Sequence, residues 1–135
     1  MEAEYDRTVT LEDLDRWLDV YGRAWERKDV DAFVACFSED ALYQWGPWSD
    51  PLRGHDEIRA QTEQAVSQQD GVRFGHEPLA ITPDGRGIAR WWVSMNVPAE
   101  GTVEELEGIF LVTLGADGRC MDFREWWNSR SRPAS

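Results

Sequence analysis

In a chain with no cofactor-binding motif, chemistry has to come from acids, bases and phenols placed in apolar surroundings. Three residues of this sequence qualify by position. Glu125 lies in Phe123-Arg124-Glu125-Trp126-Trp127. If that stretch is extended, Glu125 shares a face with Met121, Phe123 and Trp127, opposite Cys120, Asp122, Arg124 and Trp126. A carboxyl held among aromatic rings loses hydration, which raises its pKa toward the range useful for proton transfer. The competing reading is a structural acid bonded to a tyrosine or tryptophan, or paired with an arginine. Glu104 falls on another inward, otherwise apolar strand face, near the open end of any hollow there. The acidic run Glu100 to Glu105 equally suits a solvated strand end. His76 shares a face with Val72 and Phe74 and is either a proton shuttle or a hydrogen-bonded core residue. His55 reads as a first-turn residue of a helix.

Other chemistries lack their residues. Two histidines and two scattered cysteines give no metal-ligand spacing, so no metal is expected. There is no phosphate-cradling glycine loop and no Gly-x-Ser-x-Gly elbow, so no cofactor is expected. The net charge of −12 disfavours nucleic acid and anionic membrane and suits a neutral or cationic ligand. No apolar run is long enough to span a bilayer, and the start MEAEYD does not read as a signal peptide. Cys36 and Cys120 are expected as buried free thiols, which fits a cytoplasmic protein.

The elements that must position these residues follow from periodicity. Leu11, Leu14, Trp17, Leu18, Tyr21, Ala24 and Trp25 recur at helical spacing, predicting a helix over Leu11 to Arg27 capped by Thr10. A short helix is predicted from Val30 to Phe37, capped by Asp29, and a third from His55 to Gln69. Ala41 to Trp45 reads as a strand, followed by a loop over Gly46 to Pro51. Four long strands follow: Gly71 to Ile81, Gly87 to Val97, Thr102 to Leu114 and Arg119 to Asn128. Turn residues punctuate them. The tail Ser129 to Ser135 reads as frayed. Helices followed by a strand meander predict one α+β domain with three N-terminal helices packed on a strongly curved, mostly antiparallel sheet.

In this arrangement the chain resembles the nuclear transport factor 2-like superfamily, especially its SnoaL-like branch. The resemblance is carried by YGRAWERKD (Tyr21 to Asp29), FSEDALYQ (Phe37 to Gln44), RGHDEI (Arg53 to Ile58), GIFLVTL (Gly108 to Leu114) and DGRCMDFREWW (Asp117 to Trp127). It implies a cone-shaped barrel enclosing a pocket, and a homodimer through the outer sheet face. It also places Glu125 where limonene epoxide hydrolase carries its catalytic aspartate, and Tyr43 at a pocket tyrosine of that enzyme. The arginine–aspartate pair of that enzyme's middle strand is missing, since Ala89, Arg90, Trp91 and Trp92 contain no acid. Tyr21 is similar in position to the oxyanion-stabilising tyrosine of ketosteroid isomerase, and Trp45 stands where that enzyme has its aspartate base.

The resemblance therefore implies a cofactor-independent enzyme acting by general acid/base chemistry on a small, largely apolar cyclic or aromatic molecule. The reaction would be isomerisation, dehydration, cyclisation or hydrolysis. Glu125, His76, Tyr43 and Tyr21 would be catalytic. Trp17, Phe33, Trp45, Trp91, Glu104, Leu106, Phe123 and Trp127 would bind substrate. The rival reading is a non-catalytic binding or accessory module on the same fold.

Overall fold

The computed structural model describes residues 8–135, and the start MEAEYD lies outside them. Helix α1 spans Leu11–Glu26. Thr10 and Asp13 cap it reciprocally: Asp13 N–H donates to the Thr10 hydroxyl at 3.1 Å and Thr10 N–H to the Asp13 carboxylate at 2.9 Å. It ends where Lys28 turns left-handed (φ 56°). Asp29 then caps α2, Val30–Ala35. Strand β1 is Phe37–Gln44, followed by a two-residue strand β2, Leu52–Arg53, and by α3, Gly54–Ser67. The sheet is completed by β3 (Asp70–Ile81), β4 (Gly87–Val97), β5 (Thr102–Leu114) and β6 (Cys120–Pro133).

The six strands run in the order β2-β1-β6-β5-β4-β3. Every pairing is antiparallel except β1 with β6. The sheet is curved but not closed, and the three helices pack on it. Helix α1 lies close on β3: a Cβ at Gly22 would come within 2.4 Å of the Phe74 ring, so only glycine permits that approach.

Three expectations are corrected. The short helix stops at Ala35, because Phe37 already begins β1 beside Cys120. The last strand does not stop at Asn128 but runs to Pro133. Strand β5 starts at Thr102 and offers a partner to every residue as far as Pro133. Met121 does not share the inward face. Leu114 pairs with Cys120 and Thr113 with Asp122, so Met121 is the extra residue of a bulge. The bulge reverses parity: Cys120 is fully buried and Met121 is 49% exposed. Beyond it, Phe123, Glu125 and Trp127 regain a common face.

The core lies between α1 and one end of the inner sheet face. Leu14, Leu18 and Tyr21 meet Trp91, Phe110, Val112 and Phe123 there, all buried. The rings interlock, with Trp91 stacked on Phe110 at 4.7 Å and Phe110 tilted against Phe123 at 4.6 Å. Cys36 and Cys120 are buried free thiols, and burial pushes the Cys36 thiol up to about 12. The outer face leaves Trp92, Ile109 and Trp126 exposed. Among the described residues no helix is long and apolar enough to cross a membrane.

Candidate functional site

The other end of the inner face stays open. A cavity of about 360 Å³ lies between β1, β4, β5 and β6 on one side and α3 on the other. Helix α3 contributes Ile58, Gln61, Thr62, Ala65 and Val66, whose spacing is one helical face, and Gln69 follows just past its end. From the sheet come Tyr43, Met95, Glu104, Leu106, Glu125, Trp127 and Ser129. Tyr21, Trp25 and Phe33 close it from α1 and α2, and Trp45 and Leu52 from the segment after β1. The walls are mainly apolar, and among the described residues no arginine, lysine or histidine lines them.

Glu125 carries the unusual chemistry. Its Oε2 accepts from the Tyr43 hydroxyl at 3.1 Å. Among the described residues Oε1 has no hydrogen-bond partner in the protein, and none of the ion pairs includes this carboxylate. Burial penalises the charged form and raises the pKa from 4.5 to about 8, against a smaller lowering by the Tyr43 bond. At neutral pH the group is therefore mainly the neutral acid, with one oxygen fixed and the other free to meet a ligand.

Behind Tyr43, the Tyr21 hydroxyl lies 3.4 Å from the Tyr43 hydroxyl. If Tyr43 donates to Glu125, Tyr21 donates to Tyr43, and the three groups form a directed chain. Burial, then the nearby Glu125, raises both phenol pKa values well above 10, so both remain protonated donors. The rings are held by stacking: Tyr43 on Phe123 at 4.8 Å and Tyr21 on Trp17 at 5.2 Å.

Two further ties set the rim. Trp127 Nε1 donates to the Trp45 carbonyl at 2.8 Å, and Trp25 Nε1 to Gln69 Oε1 at 2.8 Å. Trp45 and Trp127 are 40% and 38% exposed. Glu104 lies further along the same face, where its Oε2 accepts from the hydroxyls of Thr102 and Ser131.

Of the residues singled out by sequence, Tyr21, Phe33, Tyr43, Trp45, Glu104, Leu106, Glu125 and Trp127 thus border one cavity. Four do not. Trp17 is core, its Nε1 donating to the Cys36 carbonyl at 3.0 Å. Trp91 and Phe123 are fully buried beneath α1, and among the described residues the Trp91 indole N–H has no partner. His76 does lie on the inward side of β3, but that strand passes beside α1, not the cavity. Its Nε2 meets Asp15 at 2.9 Å and Asp19 at 3.6 Å. His55 ties α3 to the Phe37 carbonyl at 2.7 Å. Arg90 points to the outer face, over the Trp92 ring at 4.5 Å and against Glu107 at 2.8 Å.

The α3 face was missed as a wall. Its signal was the mixture of glutamines and threonine with Ile58 and Val66 on a single stripe, which suits a wet cavity better than a dry core. Among the described residues no group of three or more His, Cys, Asp or Glu could hold a metal ion.

Known structures share this architecture. RV0760c from Mycobacterium tuberculosis superposes with a TM-score of 0.78 at 12% identity, covering 93% of this chain and 100% of that one. The Delta 5-3-ketosteroid isomerase from Mycobacterium sp. gives 0.76 at 14% identity, covering 89% and 98%. SalBIII, described as an epoxide hydrolase/cyclase-like enzyme in pyran ring formation in the polyether salinomycin, gives 0.74 at 22%, covering 88% and 95%. Comparison with curated proteins finds no match. The SnoaL-like domain model matches residues 7–123. With that match spanning most of the chain, this protein belongs to the SnoaL-like domain family.

Proposed function

We propose that the protein is an enzyme that uses Glu125 as a general acid, and its conjugate base in the return step, on a small, largely apolar cyclic or aromatic molecule. The observation that carries this reading is the cavity-facing carboxyl with a raised pKa, one oxygen bonded by Tyr43 and the other unengaged. A neutral acid can protonate an oxygen or an unsaturated carbon of the ligand. The carboxylate so formed can remove a proton from a neighbouring position. That exchange serves isomerisation, dehydration and cyclisation alike, and neither a metal nor a redox group is required. Tyr43 orients the acid, and Tyr21 relays the hydrogen-bond chain from behind. Trp45, Trp127 and Leu106 would hold the apolar body of the substrate.

A second reading, a binding module without turnover, is favoured by one observation. Arg90, the basic residue of the middle strand, lies on the outer face, so among the described residues Glu125 has no cationic partner in the cavity. Turnover of a panel of cyclic enones, hydroxyketones and epoxides, followed by mass spectrometry and by deuterium incorporation from D₂O, separates the two. Turnover lost in Glu125→Gln supports the enzyme. Turnover retained in that variant contradicts it.

The same reading makes the protein a cytoplasmic homodimer joined through the outer sheet face, where Trp92, Ile109 and Trp126 are exposed together. Sedimentation should give a dimer for the native chain and a monomer for Trp126→Glu. An unchanged mass would refute that face as the interface.

A further inference from the structure

The cavity has two polar stations of the same kind. Both are carboxyl groups, Glu125 beside Tyr43 and Glu104 beside Thr102 and Ser131, and among the described residues both bond only to neutral hydroxyls. Every arginine and lysine with a carboxylate partner among the described residues makes that pair elsewhere. Arg130 takes Glu105, one residue from Glu104 and on the opposite face, at 2.7 Å. A carboxylate on the wall of an apolar hollow, with no cation of its own, attracts one from outside. The chain's net charge of −12 strengthens that attraction and repels anions.

The register sets the spacing. Glu125 pairs with Phe110, and Ser131 pairs with Glu104. The two stations are therefore six residues apart on β6, roughly 20 Å of extended strand, shortened by the curvature of the sheet and the reach of the side chains. Between them the inward positions are Trp127 and Ser129, with Leu106 opposite Ser129. The indoles of Trp45 and Trp127 stand at the rim, where π faces also favour a cation.

We propose that the ligand is an amphipathic amine: a ring-bearing apolar body with an oxygen function at Glu125 and Tyr43, and a protonated nitrogen at Glu104. This rests on the reading of the cavity as the ligand site, and it adds the class of ligand. Carboxylated and phosphorylated metabolites are excluded by the same charges.

A matched series of naphthalene probes tests it: 2-naphthylethylamine, 2-naphthylethanol and 2-naphthylacetate, titrated at pH 7 against tryptophan fluorescence with the full-length protein. The amine should bind at least about tenfold more tightly than the alcohol, and the acid should not bind measurably. Glu104→Gln should reduce the amine to the affinity of the alcohol and leave the alcohol unchanged. The melting temperature of the variant shows that it is folded, and Glu104→Asp, which keeps the charge, should retain much of the preference. Alcohol and amine binding equally overturns the amine assignment alone and leaves the acid/base reading standing. An amine preference that survives Glu104→Gln overturns the role of Glu104. If no probe binds, both the amine assignment and the cavity as a ligand site fall.

Discussion

The two faces of the β5–β6 ribbon carry acids of the same kind in opposite situations. On the outer face each acid has a basic partner: Glu105 with Arg130 at 2.7 Å, Glu107 with Arg90 at 2.8 Å and Asp122 with Arg124 at 3.2 Å. On the inner face, among the described residues, Glu104 and Glu125 have only hydroxyl donors. Outward carboxylates sit in water, where pairing contributes little and solvent screens the rest. Glu125 sits in a mainly apolar wall, with no counter-charge among the described residues, so burial holds its proton to about pH 8. Strand parity alone separates the two situations, since neighbours on one strand point to opposite faces. Surrounding dielectric and the presence of a partner decide whether a carboxylate solvates a surface or can transfer a proton.

The comparison can be broken most sharply at Glu125. Glu125→Gln keeps the shape and the Tyr43 contact but removes the proton, and kcat on the cavity's substrate should fall about 10²–10⁴-fold. The equivalent change outside, Glu105→Gln, should leave kcat within about twofold.

A second consequence appears in stability. The pKa of Glu125 is higher in the folded chain than the ordinary 4.5, so the folded chain holds this proton more tightly than the unfolded chain does. The resulting advantage is complete below pH 4.5 and is lost as pH rises through about 8. Chemical denaturation from pH 5 to 8.5 should show the native protein losing on the order of a few kcal/mol relative to Glu125→Gln. Parallel curves would remove the asymmetry between the faces.

Tyr43→Phe sharpens the contrast. The Tyr43 bond lowers the pKa of Glu125, so its loss should move the alkaline limb of the pH–rate profile upward. It should also reduce kcat by about tenfold through loss of orientation. The smallest effect belongs to the outer face: Arg130→Ala should change stability by less than about 1 kcal/mol, and less again at high salt.

Much of this was legible from residues alone. Helix spacing in α1, turn residues and strand alternation yield the elements and their order, and put Glu125, Trp127, Glu104 and Leu106 on inward faces. What alternation does not say is which length of an inward face is covered. Trp91 and Leu106 face inward on neighbouring strands, yet α1 lies over Trp91 and the cavity over Leu106. His76 was drawn to the wrong place for that reason: its parity is inward, but the element above it is the flank of α1 with Asp15 and Asp19. The face of Met121 is hidden from alternation because Cys120 and Met121, the two residues at the bulge, are both apolar, so the shift leaves no mark in the hydrophobic pattern. The tail resisted reading because Ser129 to Pro133 is polar on both faces, and its strand character comes from its partner, β5.

The account rests on the proton of Glu125, and its titration can be observed directly. Carbon-13 NMR of the side-chain carboxyl, assigned by its loss in Glu125→Gln, should show a midpoint near pH 8 while the outer carboxylates titrate separately. A midpoint at 4.5 would mean that water reaches Glu125 as freely as it reaches the surface, and the claim that this wall of the cavity holds a neutral acid would be wrong.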